Sequence, residues 1–523
     1  MHKPQLVNAV IGIGAAAMLI FAITSLEQAR GGIDIESKRV GATPVTVFSP
    51  KDTTKDAGTP VVLIAHGFSG SQQLMQPFAQ TLAHNGYTAI TFDFPGHGRH
   101  PQPMRGGLSD QDASLKTLLA NMQEMDRYAT ELAGDRAAYA VLGHSMASDI
   151  IVRHAQESPR VVATIGVSMF APSITEQSKA NSPPNLLAIA GGLEPGLMAT
   201  EALRIVSQSA GADISFAQTY GEFEDGTARR AAIAPGVEHI SVLYSQATQT
   251  EALNWLNQAF DQPKADNPFV DARGLALGLL LVGLLALSRA GASMLLPTVA
   301  TPHAEGTPTR RKWWQWRGYA PLALIPMVLT PLILWQLPTQ YLPLLLGDYL
   351  VLHFGLYGLL TILSLRLLKI SYPRIAQGRR LAFVIATTVA VTYTLVVVGV
   401  AVDRYIFNLL PDLSRLPLVP VMCAGTLVYF IADEWASRHR HAARGAYLVL
   451  KICFLVSLVI ALALNPSRLF FLALIVPAIL VLFIAYGLMS RWCYRQTGHP
   501  LIAGIALALT FGWFMAAFFP LVR

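Results

Sequence analysis

Apolar and polar positions divide the chain into three regimes. Residues 6–25, LVNAVIGIGAAAMLIFAITS, are almost continuously apolar, enough to cross a hydrocarbon core as a helix. Lys3 precedes the run, and no convincing small-residue cleavage site follows it. This predicts a retained transmembrane signal anchor over residues 1–25, the other reading being a removed signal peptide. From 26 to 265 short apolar runs alternate with amphipathic ones. VVLIAH (61–66), TAITFDF (88–94), AAYAVLG (137–143), VVATIGVSMF (161–170), NLLAIAG (185–191) and RRAAIAP (229–235) read as strands, and 73–84, 113–132 and 145–157 as helices. Strands spaced by helix-length segments predict an α/β domain, a largely parallel sheet with helices on both faces.

The polar, proline-containing stretch DQPKADNP (261–268) reads as a linker. Beyond it, residues 266–523 hold eight long apolar runs, at 273–289, 319–337, 342–365, 381–401, 416–432, 447–464, 469–489 and 500–520. Backbone polar groups must satisfy each other in lipid, so these predict an all-α transmembrane bundle, about nine spans with the N-terminal one. The runs 273–289 and 416–432 are the shortest.

Composition agrees with that division. Hydrophobic residues make up 53% and charged residues 14%, well under the roughly 25% charged of a soluble domain, and mean hydropathy is +0.43. A wholly water-soluble chain is excluded. The net charge of +7 has its place in loops beside the spans. Basic residues crowd 290–318 (Arg310, Arg311, Lys312, Arg317), 366–380 (Arg366, Lys369, Arg374, Arg379, Arg380), 433–446 (Arg438, Arg440, Arg444) and 490–499 (Arg491, Arg495), and are sparse in the intervening loops. The positive-inside rule then puts the N-terminus in the cytoplasm and residues 26–265 on the extracytoplasmic face, the periplasm in a Gram-negative cell. Membrane lipids are expected partners. No nucleic-acid motif is present, so a nucleic-acid partner is not expected. Cys423, Cys453 and Cys493 have neither metal-ligand spacing nor a disulfide framework, and no metal or cofactor is expected.

Candidate chemistry lies in AAYAVLGHSMASDIIVRHAQ (137–156). An apolar strand ends in Gly143-His144-Ser145-Met146-Ala147 and a helical run follows. A sharp strand–turn–helix with small residues on both flanks exposes a serine hydroxyl above the sheet. Alone, the pattern also fits a serine capping a helix. Two other strand ends give it context: His66-Gly67-Phe68, and Asp93-Phe94-Pro95-Gly96-His97-Gly98-Arg99.

At these three points the chain resembles the α/β-hydrolase superfamily, over roughly residues 45–260. The resemblance implies a doubly wound, mostly parallel sheet and a nucleophile at Ser145. It implies an oxyanion hole from the main-chain N–H groups of Phe68 and Met146, where fixed donors meet charge developing on a carbonyl oxygen. In the family's order, Ser, acid, His, the base follows last. Of the downstream histidines in the soluble part, His154 lies in the helix opened by Ser145 and cannot turn back, which leaves His239. The acid is expected after NLLAIAG. There Ala190-Gly191-Gly192-Leu193-Glu194-Pro195 is similar to the family's G-x-x-D turn, with Glu194 in place of aspartate and Asp213 and Asp225 as fallbacks. His66 and His97 are expected to hold turns, and His84 and His100 to lie at the surface. Only about fourteen residues separate the strand ending at 170 from the next, too few for a large helical lid, although 196–228 could form a small cover.

The expected function is that of a membrane-bound serine hydrolase cleaving a carboxylic ester of a small molecule, a lipid or an acylated envelope component through Ser145, His239 and Glu194. Two alternatives stay open: an acyltransferase using the same triad, since the acyl-enzyme is common to both, and a transporter or scaffold with a non-catalytic hydrolase-like domain. In the apolar half, Asp348 and His353 lie five apart, about 140° around a helix. They line a polar path, or Asp348 sits at the interface and His353 is a hydrogen-bond partner within the bundle. Asp433 and Glu434 read as interfacial.

Overall fold

A computed structural model describes residues 3–51, 59–107, 110–134, 137–210, 213–300, 312–438, 442–443 and 445–523. Arg310, Arg311, Arg440 and Arg444 of the basic loops lie outside the described residues. Contacts divide the chain into two compact units. One is Phe21–Gly278 with Arg404–Asp412 and Pro520–Arg523; the other is Met1–Ile20, Leu279–Asp403 and Leu413–Phe519.

The first unit is built on a nine-stranded sheet: β1 (Ile33–Val40), β2 (Thr43–Pro50), β3 (Val61–Ala65), β4 (Thr88–Phe92), β5 (Tyr139–His144), β6 (Val161–Val167), β7 (Leu186–Gly191), β8 (Thr219–Tyr220) and β9 (Arg229–Ala234). Their spatial order is β1-β2-β4-β3-β5-β6-β7-β9-β8. The strands from β4 to β9 pair in parallel, while β1, β2 and β8 join antiparallel at the two margins. All residues of β3, β5 and β7 are buried, as expected where helices cover both faces of a parallel sheet.

Those covers are α2 (Gln76–His84), α3 (Gln111–Ala133), α4 (Ala147–Glu157), α5 (Gly196–Ala210) and α6 (Gln246–Ala259). Side chains alternate across a strand, and the core divides accordingly. Leu187 and Ile189 of β7 pack in the cluster that holds Phe78 and Leu82 of α2 and Trp255 of α6. Leu186, Ala188 and Ala190 pack with Val152 of α4 and Ile205 and Val206 of α5. The chain's last residues also belong here. Leu521 N–H donates to Gly96 O at 2.8 Å, and Met104 N–H donates to Leu521 O at 2.9 Å. Arg99 Nε donates to Asn408 Oδ1 at 2.7 Å.

The remaining helices are α1 (Lys3–Gln28), α7 (Arg273–Leu295), α8 (Lys312–Gln336), α9 (Gly347–Leu367), α10 (Arg380–Thr392), a π-helical turn at Tyr393–Val398, α11 (Gly399–Tyr405), α12 (Leu418–Arg438), α13 (Ala446–Leu464), α14 (Pro466–Leu469), α15 (Leu472–Thr497) and α16 (Pro500–Phe518). Among the described residues, nine helices are long and apolar enough to cross a membrane, α10 and α11 counting as one through the π turn. The two runs that looked short, 273–289 and 416–432, belong to helices reaching Leu295 and Arg438.

Close backbone contact sets the packing of α9 on α12. A Cβ on Gly358 would lie 2.6 Å from Tyr429 N, and one on Gly425 would lie 2.4 Å from Val351 O. Small residues at such crossings let apolar helices gain dispersion contacts without a hydrophobic driving force. Phe354, Tyr429, Phe430, Phe454, Phe483 and Phe511 interlock around the same crossing.

Candidate active site

The apolar strand β5 runs straight into a turn at Ser145, which has φ +52°. This is the left-handed region, which costs a non-glycine residue about 1–3 kcal/mol and is held only where the surroundings over-determine it. Here Ser145 N–H donates to Val167 O on β6 at 2.9 Å, and Ser148 closes the next turn onto Ser145 O. Gly143 permits the bend: a Cβ there would stand 3.0 Å from both Ala147 O and Ile151 Cδ1. Helix α4 starts at Ala147, so Met146 lies between the serine and the first helical residue. The unpaired N–H groups of a helix start favour negative charge at that end.

The structure brings the three expected side chains into one hydrogen-bonded line. His239 Nε2 lies 2.9 Å from Ser145 Oγ. His239 Nδ1 lies 2.6 Å from Glu194 Oε1. The other carboxylate oxygen of Glu194 accepts from Gly191 N–H at 2.6 Å. The Glu194 side chain is almost wholly buried. Burial is the largest single influence on its carboxyl and works upward. The hydrogen bonds from His239 and Gly191 together outweigh it and hold the group below the usual carboxylate range. A carboxylate so placed fixes the imidazole tautomer with Nε2 facing the serine and stabilises the imidazolium once it forms. The fallback acids lie elsewhere: Asp225 accepts from Thr227 in an exposed turn, and Asp213 is exposed.

The His66-Gly67-Phe68 turn abuts the serine. A Cβ on Gly67 would fall 3.2 Å from Ser145 Cβ, so Phe68 leaves the end of β3 beside the nucleophile turn. His66 holds that turn from below. Its Nε2 accepts from Phe94 N–H at 3.1 Å, which leaves Nδ1–H to donate to Gly67 O at 2.8 Å. Asp93 closes the neighbouring turn, accepting from Gln72 N–H at 2.8 Å and Arg99 N–H at 3.1 Å. His97 Nδ1 reaches Pro95 O at 3.0 Å.

One expectation is corrected. His100 is buried, not a surface residue; its Nδ1 accepts from Gln102 N–H. Its place in a turn, which the polar sequence HPQP made look exposed, is covered by Thr43, whose hydroxyl is 3.4 Å from Nε2. Sequence reasoning also missed His144, the residue before Ser145. It is buried, and its Nε2–H donates to His239 O at 2.9 Å. Burial above all, then the nearby His239, pushes its pKa down to about 3, so it stays neutral and pins the loop that carries His239. The signal was its position: a hydrogen-bonding side chain next to Ser145, in an otherwise apolar strand.

Residues 57–222 match the family model described as "Serine aminopeptidase, S33". No curated protein matches the chain. Similar solved structures include a predicted CIB-like hydrolase from Thermoplasma acidophilum, 15% identical over 43% of this chain and 99% of that one, with a TM-score of 0.32. An esterase from Pyrococcus furiosus is 12% identical over 44% of this chain and 94% of its own, with a TM-score of 0.32. A soluble variant of the monoglyceride lipase of Saccharomyces cerevisiae is 12% identical over 44% and 95%, with a TM-score of 0.30. The family match supports an α/β-hydrolase domain of serine-hydrolase type.

Proposed function

We propose that this chain is a membrane-held serine hydrolase that cleaves a carboxylic ester, with its hydrolase unit on the extracytoplasmic side of the cytoplasmic membrane. The observation that carries the reading is the line Ser145 Oγ–His239–Glu194, with the serine strained at a strand–helix turn. As Ser145 Oγ attacks the ester carbonyl, His239 Nε2 takes its proton. The main-chain N–H groups of Phe68 and Met146 receive the oxyanion. The imidazolium, held by Glu194, returns the proton to the departing alkoxide. Water, deprotonated by the same nitrogen, then releases the acid from the acyl-serine.

An apolar acyl group suits the rim. Leu193, beside Glu194, is 67% exposed, and Ile240, beside His239, is 47% exposed. Exposed apolar side chains gathered next to reactive residues favour a lipid or acylated substrate. The nine apolar helices and the crowding of Lys and Arg into alternate loops support the membrane placement.

A serine-directed fluorophosphonate probe tests the chemistry on the full-length protein. Labelling is expected in the wild type and lost in Ser145→Ala; an unlabelled wild type, or equal labelling of the variant, overturns the enzyme reading. A chain-length panel of aryl esters, run beside aminoacyl anilides, then reads the bond. Turnover of anilides but not esters would replace the ester assignment with an amide one. Partition of product toward an added alcohol separates transfer from hydrolysis.

A further inference from the structure

Part of the hydrolase unit comes from residues far along the chain. Pro520–Arg523 belong to the same compact unit as the sheet. They lie along residues 96–106 in a ladder of four main-chain hydrogen bonds. Leu521 N–H donates to Gly96 O at 2.8 Å, and Leu521 O accepts from Met104 N–H at 2.9 Å. Arg523 N–H donates to Met104 O at 2.9 Å, and Arg523 O accepts from Gly106 N–H at 3.1 Å. Met104 and Val522 pair as a parallel bridge, and the N–H of Val522 takes no part in the four bonds. Leu521 and Met104 are both buried.

Gly96 sits in a tight turn, Phe94-Pro95-Gly96-His97, closed by His97 N–H donating to Phe94 O at 2.9 Å. Proline at its second position and a φ of +80° at the glycine are those of a type II turn, whose third position suits glycine. A Cβ on Gly96 would run into Leu521 O, so the turn and Leu521 meet main chain to main chain.

Both ends of this turn touch the His66-Gly67-Phe68 turn beside Ser145. At one end Phe94 N–H donates to His66 Nε2 at 3.1 Å, which leaves the imidazole proton on Nδ1 to donate to Gly67 O at 2.8 Å. Burial lowers the pKa of His66 and keeps the ring neutral, so this proton pattern holds. At the other end the His97 ring lies 6.1 Å from that of Phe68 and 5.2 Å from that of His66. Gly67 O and Phe68 N–H belong to one planar trans peptide group and point in opposite directions. Whatever fixes the oxygen therefore aims the N–H, which is the oxyanion donor proposed above. A donor held in place before reaction needs no reorganisation when charge develops.

We propose that the main chain of Leu521 is a positioning element of the oxyanion hole, holding the Gly67–Phe68 peptide in place through Gly96, Phe94 and His66. The inference rests on the serine-hydrolase reading of this site, with Phe68 N–H as one of its donors. Without the bond from Leu521, the Pro95-Gly96 turn shifts, and the Phe94 N–H and the His97 ring move with it. The line Ser145–His239–Glu194 shares none of these bonds and keeps its geometry. The loss therefore falls on the oxyanion of the transition state and on kcat, while KM and the titration of His239 stay as they are.

The test uses full-length protein. Leu521→Pro removes the N–H that Gly96 O accepts; Val522→Pro removes one that lies outside the ladder and serves as the control. Two quantities are read: kcat and KM on an aryl ester, and the inhibition constant of a trifluoromethyl ketone. Ser145 Oγ adds to the carbonyl carbon of that ketone, His239 takes the hydroxyl proton, and the carbonyl oxygen becomes an oxyanion in the hole. A group misplaced by about 1 Å can cost about 100-fold. Leu521→Pro should lower kcat by about 10- to 100-fold at unchanged KM and pH profile, and weaken the ketone by a similar factor. Val522→Pro should match wild type in both. Deletion of Leu521–Arg523 leaves every strand and helix whole, should behave like Leu521→Pro, and carries the test if that variant does not fold. Wild-type kcat in both Leu521→Pro and the deletion overturns the proposal. So does a lowered kcat with an unchanged inhibition constant, because a partly unfolded population loses active sites without losing the hole. A wild type that the fluorophosphonate probe does not label overturns the hydrolase reading and this inference with it. A labelled wild type beside fully active variants overturns the positioning role alone.

Discussion

Glu194→Gln offers the sharpest test of the candidate site, because the two carboxylate oxygens have different jobs. One faces His239 Nδ1 at 2.6 Å and the other accepts from Gly191 N–H at 2.6 Å. Both neighbours donate, and a carboxylate accepts from both. An amide has one acceptor and one donor end. If its oxygen keeps Gly191, its NH₂ faces His239 Nδ1 and forces the proton onto Nε2, the nitrogen that must accept from Ser145. If its oxygen turns to His239, two donors are pressed together at Gly191 in a site with almost no solvent to relieve them. In either case the negative charge beside the imidazolium is gone.

Replacing the acid of such a triad by its amide lowers kcat by about 10⁴, or about 5–6 kcal/mol of transition-state stabilisation. Glu194→Asp keeps the charge but withdraws the carboxylate by one C–C bond, about 1.5 Å. That carries it out of hydrogen-bond reach of Nδ1 and should cost about 10²-fold. The assay is kcat/KM for an aryl ester, with the rate of fluorophosphonate labelling as an independent reading and thermal unfolding as the control for folding. A folded Glu194→Gln enzyme within tenfold of wild type would refute the reasoning and remove Glu194 from the acid's role.

The same carboxyl gives a pH prediction. Its native pKa lies below the unfolded value, so its stabilisation is complete above the ordinary carboxylate range, about pH 5, and is lost as pH falls through the native value. The wild type's melting-temperature advantage over Glu194→Gln should therefore shrink on acidification, and an advantage that grows would contradict it. His144→Leu removes the hydrogen bond to His239 O and should slow labelling by about three- to tenfold, the worth of roughly 0.5–1.5 kcal/mol, with little change in melting. Asp271 is fully buried against Arg273, so Asp271→Ala strands a buried guanidinium and should cost about 3–5 kcal/mol in urea unfolding; a loss below 1 kcal/mol would show that Arg273 finds another partner.

The elements that were legible share a local cause. β3, β5 and β7 are buried on both faces and therefore read as unbroken apolar runs. The nucleophile turn was legible because sterics force small residues at Gly143 and Ala147 whatever surrounds them. β1 was not legible. IDIESKRV is charged at four of its eight positions, and it is a strand because residue-by-residue pairing with β2 satisfies its backbone at the sheet margin. β2 carries prolines at both ends of TPVTVFSP, which argue against a strand until the margin position is known. The acid and base were legible only as positions after β7 and β9, since Glu194 and His239, 45 positions apart, are brought together by the sheet, not by spacing.

The ion pairs of α12 were not legible for a different reason. Hydropathy judges each side chain alone, so Asp433, Glu434 and Arg438 at the end of LVPVMCAGTLVYFIADEWASR looked like the edge of a span. The corrective evidence was a single residue in the next run, AYLVLKICFLVSLVIALAL, where Lys451 stands among apolar neighbours. An ammonium placed there must reach the interface or find an anion. Antiparallel neighbours joined by a short loop bring Lys451 level with the end of α12, where Asp433 and Glu434 are the available carboxylates. The unmatched lysine thus required that the acidic pair turn inward, and the 2.7 Å contact with Asp433 meets that requirement. A lone charge within an apolar run is therefore better read together with the nearest opposite charge on the neighbouring helix than by its own hydropathy.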